Sequence, residues 1–390
     1  MPPPRDLLRS ALLSAATLIV LSVVLEAGVR LAVPQQYWRF RDATSDWQLD
    51  PELGWVNKPD LDVESRFKEE LIRFRTNHDG LIPAAAAPER APDMALRVMV
   101  FGDSMVVGRE IPQNETYTVR LEAQLAERGI HAQVINAGVQ GYSTDQVLLL
   151  MQRWLPVYRP DLVLYGSTHN DLGGIELDYA NGQAKPHFAL EGDGSLRMER
   201  PRLAAQIQHY GVGIRTWIQW SAFYRLLQPR IAMLRARFIG FDQRVLLGLY
   251  EEAYVHPGFA DRVDWRLYGA LVGRMREVAH DAGASFAFFA HPEVGEVWDP
   301  YIEQTCVNLG AQRSEYDPHA MERRIAAVAQ QQHVEFVPLI DEFRSRQQRG
   351  PFHLLPTDAH LSPAGHALLA ELLANRIAAQ TRLTRDAALR

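Results

Sequence analysis

Cysteine is all but missing. The 390 residues contain one, Cys306, so no disulfide can close within the chain and CxxC redox or zinc chemistry is excluded. That usage suits the cytosol and equally a periplasmic protein that dispenses with disulfides. A surplus of positive charge is lacking too, since 41 Lys and Arg face 47 Asp and Glu for a formal net charge of -6. Without a broad basic field, nucleic acid is not an expected partner. His169, His291 and His366 show no metal-ligand spacing, and Cys306 has no motif partner; neither a metal nor another cofactor is expected. Apolar residues are not scarce. At 47% hydrophobic and 23% charged, the chain can bury a full core and is not disordered. Its length fits one large domain with additions, or two domains.

Long runs that are both uncharged and strongly apolar are rare, and one stands at the amino end. Ser10 to Leu25 carries no charge, and the segment continues through Glu26 and Arg30 to Val33. A bilayer-spanning helix takes about 20 residues. Glu26 and Arg30 stand four apart, so they can pair on one face while Arg30 snorkels, and Pro34 stops the helix. Leu25-Glu26-Ala27-Gly28-Val29 is a poor cleavage site for a signal peptide. An apolar face all round argues against a buried helix of a soluble domain. Residues 1–34 are therefore predicted to be an uncleaved signal anchor, a transmembrane helix. Arg5 and Arg9 precede it while Arg30, Arg39 and Arg41 follow, so charge bias is nearly silent on orientation. The expectation is that the rest of the chain is extracytoplasmic, in the periplasm.

Residues 35–95 read as a linker and small accessory segment, rich in Trp, Pro and charge, with turn signals at Asp50-Pro51 and Asn77-His78-Asp79-Gly80. From Leu96 the pattern alternates. Strands are predicted from Leu96 to where the run ends at Gly102-Asp103-Ser104, and at His131–Asn136, Asp161–Gly166, Phe286–Ala290 and Val334–Val337. Helices are predicted at Asn114–Arg128 (Asn114 capping, Gly129 ending it), Thr144–Tyr158, Asp264–Asp281, Met321–Gln331 and Ala364 to about Gln380. Ser362-Pro363 supplies the cap and first turn of the last helix. Alternation of this kind implies a parallel sheet with helices on both faces. Residues 175–263 are too long for a connection. They are read as an insertion, a possible cap, with a hairpin around Gly192-Asp193-Gly194 and helices at Ile207–Gln219, Tyr224–Phe238 and Val245–Tyr254.

Four short stretches land on the carboxyl edge of that sheet, where ligands bind in open α/β folds. Gly102-Asp103-Ser104 follows the first strand and puts a hydroxyl on a rigid element facing a cleft. Asp103 is expected to hydrogen-bond backbone around the loop. Gly138-Val139-Gln140-Gly141 follows the second strand, where a glycine lets a backbone N–H approach an oxyanion. Ser167-Thr168-His169-Asn170-Asp171 follows the third and offers a side-chain amide. Asp358-Ala359-His360 precedes the last helix; residues two apart in an extended segment point the same way, so the carboxylate can orient the imidazole for proton transfer with Ser104.

In order and placement these motifs resemble those of the SGNH (GDSL-type) hydrolases, from about Arg97 to Leu383 with the middle insertion outside the pattern. The resemblance extends to membrane-anchored bacterial members. It implies a flavodoxin-like three-layer α/β/α sandwich with a mainly five-stranded parallel sheet, here residues 96–383. It also implies an acyl-ester hydrolase with nucleophile Ser104, base His360, orienting acid Asp358 and oxyanion groups Ser104, Gly141 and Asn170. Two departures stand out. The family usually spaces acid and base as Asp-x-x-His, whereas here Asp358 and His360 are two apart and Thr357 holds the usual acid position. Thr168 replaces the glycine of the usual Gly-x-Asn-Asp. The expected substrates are small acyl esters, acetyl above all, on a small molecule or cell-envelope glycan. The alternatives are an O-acyltransferase to a polysaccharide, since some related transferases share Asp-x-His, and a non-catalytic envelope-assembly or glycan-binding protein.

Overall fold

The computed structural model describes residues 4–32, 46–67, 70–83, 85–180, 183–200, 256–355 and 358–388. The chain begins with helix α1 (Pro4–Ala32) and two antiparallel hairpins, β1 (Trp47–Asp50) with β2 (Gly54–Asn57), then β3 (Asp62–Phe67) with β4 (Glu70–Arg75). Next come β5 (Leu96–Gly102), α2 (Ser104–Val107), α3 (Tyr117–Glu127), β6 (Ala132–Gly138), α4 (Thr144–Tyr158), β7 (Leu162–Ser167) and α5 (His169–Gly173). Two hairpins follow, β8 (Tyr179–Ala180) with β9 (Gln183–Ala184) and β10 (His187–Leu190) with β11 (Leu196–Glu199). The remainder is α6 (Pro257–Ala260), α7 (Trp265–Asp281), β12 (Ser285–Ala290), α8 (Val294–Val297) and α9 (Asp299–Leu309). It ends with α10 (Ala320–Gln331), β13 (Glu335–Phe336), α11 (Ile340–Ser345) and α12 (Pro363–Ala388).

β5, β6, β7, β12 and β13 form one parallel sheet in the order β13-β12-β7-β5-β6. The first strand is flanked by the second and third, so the direction of winding reverses between β5 and β7, where doubly wound folds bind ligands. The sheet is buried on both faces, as the apolar runs demand. Val98, Val100 and Leu164 pack against Leu121 and Leu125 of α3 and Leu369 and Leu373 of α12. Met99, Phe101 and Tyr165 pack against Met151 of α4, Met275 of α7 and Ile325 of α10. This gives the three layers.

The three strands nearest the reversal meet in register at glycine, with Gly102 paired to both Gly138 and Gly166, β7 running one residue further to Ser167. A Cβ on Gly102 would lie 2.4 Å from the Gly166 carbonyl oxygen and from Val106, and one on Gly138 would lie 2.8 Å from the Val107 nitrogen. The row of glycines is what lets α2 sit directly on the strand ends.

Several elements differ from expectation. The first helix does not start at Asn114: Gln113–Glu115 is a single 3-10 turn, and Thr116, in extended conformation, precedes α3. The fifth strand keeps only Glu335–Phe336 at the sheet edge, and the last helix continues past Gln380 to Ala388. The hairpin around Gly192–Gly194 forms as β10 and β11. The helices expected at 207–219, 224–238 and 245–254 lie outside the described residues.

Residues 46–92 lie against the sheet rather than apart from it. Trp47, Leu53, Trp55, Leu81 and Ala86 share one apolar cluster with β5, β6 and α4, and Ile82 bridges Asn136. Buried Arg97 donates to the carbonyls of Pro88, Glu89 and Tyr158 at 2.6–2.8 Å. At the amino end, Leu13, Leu18, Val20, Val23 and Leu31 of the 29-residue α1 are exposed, while the side chain of Arg30 lies outside the described set. Among the described residues no helix is long and apolar enough to cross a membrane.

Candidate active site

β5 delivers Gly102-Asp103-Ser104 to the reversal point. Asp103 is fully buried and caps α2: its Oδ1 accepts from the Met105 N–H at 3.0 Å and from the Thr168 hydroxyl at 2.9 Å. A side-chain oxygen at the cap fixes the first turn, and Ser104, half-buried, opens that turn. On the far side, α12 is preceded by a loop held by a bridge between His353 and Leu361, with the Leu354 N–H on the His360 carbonyl at 2.9 Å.

That loop brings His360 to Ser104. Its Nε2 lies 2.8 Å from Ser104 Oγ, and its Nδ1 lies 2.5 Å from Asp358 Oδ1. The same carboxylate oxygen accepts the His360 backbone N–H at 2.8 Å. The Asp-x-His spacing thus supplies the geometry that an extended segment suggested. Thr357, at the usual acid position, lies outside the described residues.

Burial alone would lower the imidazole, but Glu110, then Asp358 by hydrogen bond and charge, and then Asp103 outweigh it and push His360 up to about 9. Three carboxylates favour the cation more than partial desolvation disfavours it. Glu110, itself buried, stands in the loop after α2. No motif marks it, and sequence reasoning passed over it.

After β7, Thr168 and Asp171 form a reciprocal cap on α5, with the Thr168 N–H on Asp171 Oδ2 at 2.9 Å. Asn170 is exposed in that turn, and its amide donates to Asp103 Oδ2 at 3.3 Å. Thr168 therefore does more than fill the place of a glycine: its hydroxyl ties the third-strand loop to the Asp beside Ser104. Burial, then the charge of Asp103, pushes Asp171 far up. Gly141 occupies the turn after β6 with φ of +72°, a conformation that favours glycine. That turn is held by the Trp55 indole N–H on the Gln140 carbonyl at 2.9 Å and by the Tyr142 hydroxyl on the Trp55 carbonyl. Ser104, Asp358, His360 and Asn170 are thus brought together, with Gly141 on the neighbouring loop.

The three other histidines singled out in the sequence lie in the interior. His169, His291 and His366 are all buried, and desolvation drives them down to about 3, 4 and 3 respectively. His366 stacks on Tyr117 and accepts the Tyr117 N–H at 3.1 Å. Cys306 is buried and free. Among the described residues no group of three His, Cys, Asp or Glu could hold a metal ion. A cavity of about 890 Å³ lies between α4, α7 and the β10–β11 hairpin, lined by none of the site residues.

Fold and site together define a three-layer α/β enzyme with a serine, histidine and carboxylate at the strand ends. The chain matches the GDSL-like Lipase/Acylhydrolase family over residues 100–368. It belongs to that family and is an ester-hydrolysing enzyme. Similar solved structures include an acetyl xylan esterase, AlAXEase, at 12% identity and TM-score 0.40, covering 72% of this chain and 100% of that one. TesA is similar at 14% identity and TM-score 0.37, with 71% and 95% covered. Esterase EstA from Pseudoalteromonas sp. is similar at 10% identity and TM-score 0.38, with 73% and 98% covered. No curated protein matches the chain.

Proposed function

We propose that the protein is a serine esterase for small acyl groups, acetyl foremost, carried on a polar alcohol such as an envelope carbohydrate. Ser104 Oγ attacks the acyl carbon while its proton passes to His360 Nε2. The oxyanion is held by the N–H groups of Ser104 and Gly141 and the Asn170 amide. Collapse expels the alcohol, which takes the proton from Nε2 and leaves an acyl-Ser104. Water then attacks, gives its proton to Nε2, and the acid departs as the proton returns to Oγ. Asp358 keeps Nδ1 protonated and stabilises the imidazolium.

The observation that carries this reading is the continuous line from Asp358 Oδ1 to His360 Nδ1 at 2.5 Å and from His360 Nε2 to Ser104 Oγ at 2.8 Å. Ser104→Ala should abolish release of p-nitrophenol from its acetate and labelling by a fluorophosphonate. Turnover at the wild-type rate by that variant would refute the assignment, and a wild-type chain that never labels would favour the non-catalytic reading. The Asp-x-His spacing favours one variant reaction, transfer of the acyl group to a sugar hydroxyl instead of water. Product analysis with a glycan acceptor separates the two.

The exposed leucines and valines of α1 and the uncharged run from Ser10 to Leu25 support residues 1–34 as a membrane anchor, although no described helix is long and apolar enough to cross a membrane; an enzyme domain outside the cytoplasm rests on the resemblance to membrane-anchored bacterial members alone. Membrane fractionation of the full chain and of a form lacking residues 1–33 tests the anchor. A periplasm-dependent reporter fused to the carboxyl end tests the side, and a silent reporter would overturn it.

A further inference from the structure

A fully buried lysine–carboxylate pair lies outside the proposed triad. Lys185 and Asp145 are both fully buried, with Nζ 2.5 Å from Asp145 Oδ2. The other carboxylate oxygen of Asp145 accepts the Ser143 hydroxyl at 2.7 Å and the Gln146 N–H at 2.8 Å. Lys185 comes from the opening of the insertion, just past β9. Its N–H bonds the Asp178 carbonyl at 2.9 Å, and its Nζ also reaches the Pro186 carbonyl at 3.3 Å. Ser143 is two residues after Gly141. It also touches the other oxyanion loop: Gly174, which ends α5, approaches so closely that a Cβ there would lie 2.7 Å from Ser143 Cβ. A buried charge left alone is costly, so such a pair holds its two segments together firmly.

Resting on the esterase reading above, we propose that Lys185 and Asp145 are positioning residues. Through Ser143 they lock the Gly141 loop and the Asn170 helix into the spacing an oxyanion requires. The start of the insertion is then a wedge beneath the oxyanion loops. Trp55 holds the same turn through Gln140 and Tyr142, and its neighbour Gly54 approaches Lys185 closely, so the two supports of Gly141 adjoin each other. Pre-organised donors lose their value when displaced by an ångström or so, which can cost about 10²-fold in rate.

The test uses the full chain with Lys185→Met and Asp145→Asn together, which removes both charges and strands neither. On p-nitrophenyl acetate, kcat should fall roughly 10- to 10²-fold. KM should stay within about twofold and the acidic limb of the pH profile should not move, because the Ser104–His360–Asp358 line is untouched. A wild-type kcat in a folded double variant overturns the proposal, as does a loss accompanied by a shifted acidic limb. Should that variant fail to fold, hydrogen exchange on the wild type decides. Amides of 139–147 and 171–175 should lose protection together with 178–186 as denaturant rises; opening of 178–186 with the two loops still protected overturns the proposal. If the wild type hydrolyses no ester, the esterase reading fails by itself, and the exchange result still reports on the lock.

Discussion

His360 at about 9 has two consequences at the residue scale. At neutral pH the resting imidazole is largely protonated, and a base must first be deprotonated, so kcat/KM should climb with pH until about 9. Glu110→Gln removes one of the carboxylates that favour the cation, and should move that limb toward lower pH; an unmoved limb would show that Glu110 has no hold on the base. The linkage to stability has the opposite slope. The folded pKa lies above the unfolded value of 6.5, so this contribution is full below about pH 6.5 and is lost as pH rises through about 9. The difference in unfolding free energy between wild type and His360→Gln, followed against pH, checks the sign. Asn170→Ala should lower kcat by about 10²–10³-fold with KM little changed, the usual result of losing one oxyanion donor.

At the scale of elements, the site depends on α2 resting on three strand ends. Gly102→Ala would drive a methyl into the Gly166 carbonyl at 2.4 Å, against backbone that cannot turn aside. Overpacking of this sort costs about 1–3 kcal/mol. Denaturant unfolding should show at least that loss, with activity falling because Ser104 moves with α2. An alanine tolerated at both measurements would mean that α2 can lift from the sheet.

For the whole molecule, the segment before the sheet belongs to the same core as the sheet. Deletion of residues 46–92 strips Trp47, Leu53, Trp55, Leu81 and Ala86 from the main apolar cluster and leaves the Arg97 guanidinium without the Pro88 and Glu89 carbonyls. Such a chain should not fold, whereas removal of residues 1–33 should leave a folded enzyme; circular dichroism and esterase assay of the two truncations distinguish them. Recovery of a stable, active chain lacking 46–92 would show that the segment only decorates the domain.

How much was legible beforehand follows from the range of the interactions. Strand and helix alternation, the glycines and the order of Ser104, Asn170, Asp358 and His360 are local or sequential signals, and apolar periodicity and turn chemistry write them directly into the chain. They specified a doubly wound sheet and the residues at its edge. The helix start at Thr116, the two-residue fifth strand and the hydroxyl of Thr168 on Asp103 depend on neighbours dozens of positions away. So do the influence of Glu110 on His360 and the burial of Lys185 against Asp145. A charge 250 residues off along the polymer, or a glutamate in an unmarked loop, acquires its effect only when folding brings it within a few ångströms and removes the water between. Position in the sheet was written locally; electrostatics and support came from the packed chain.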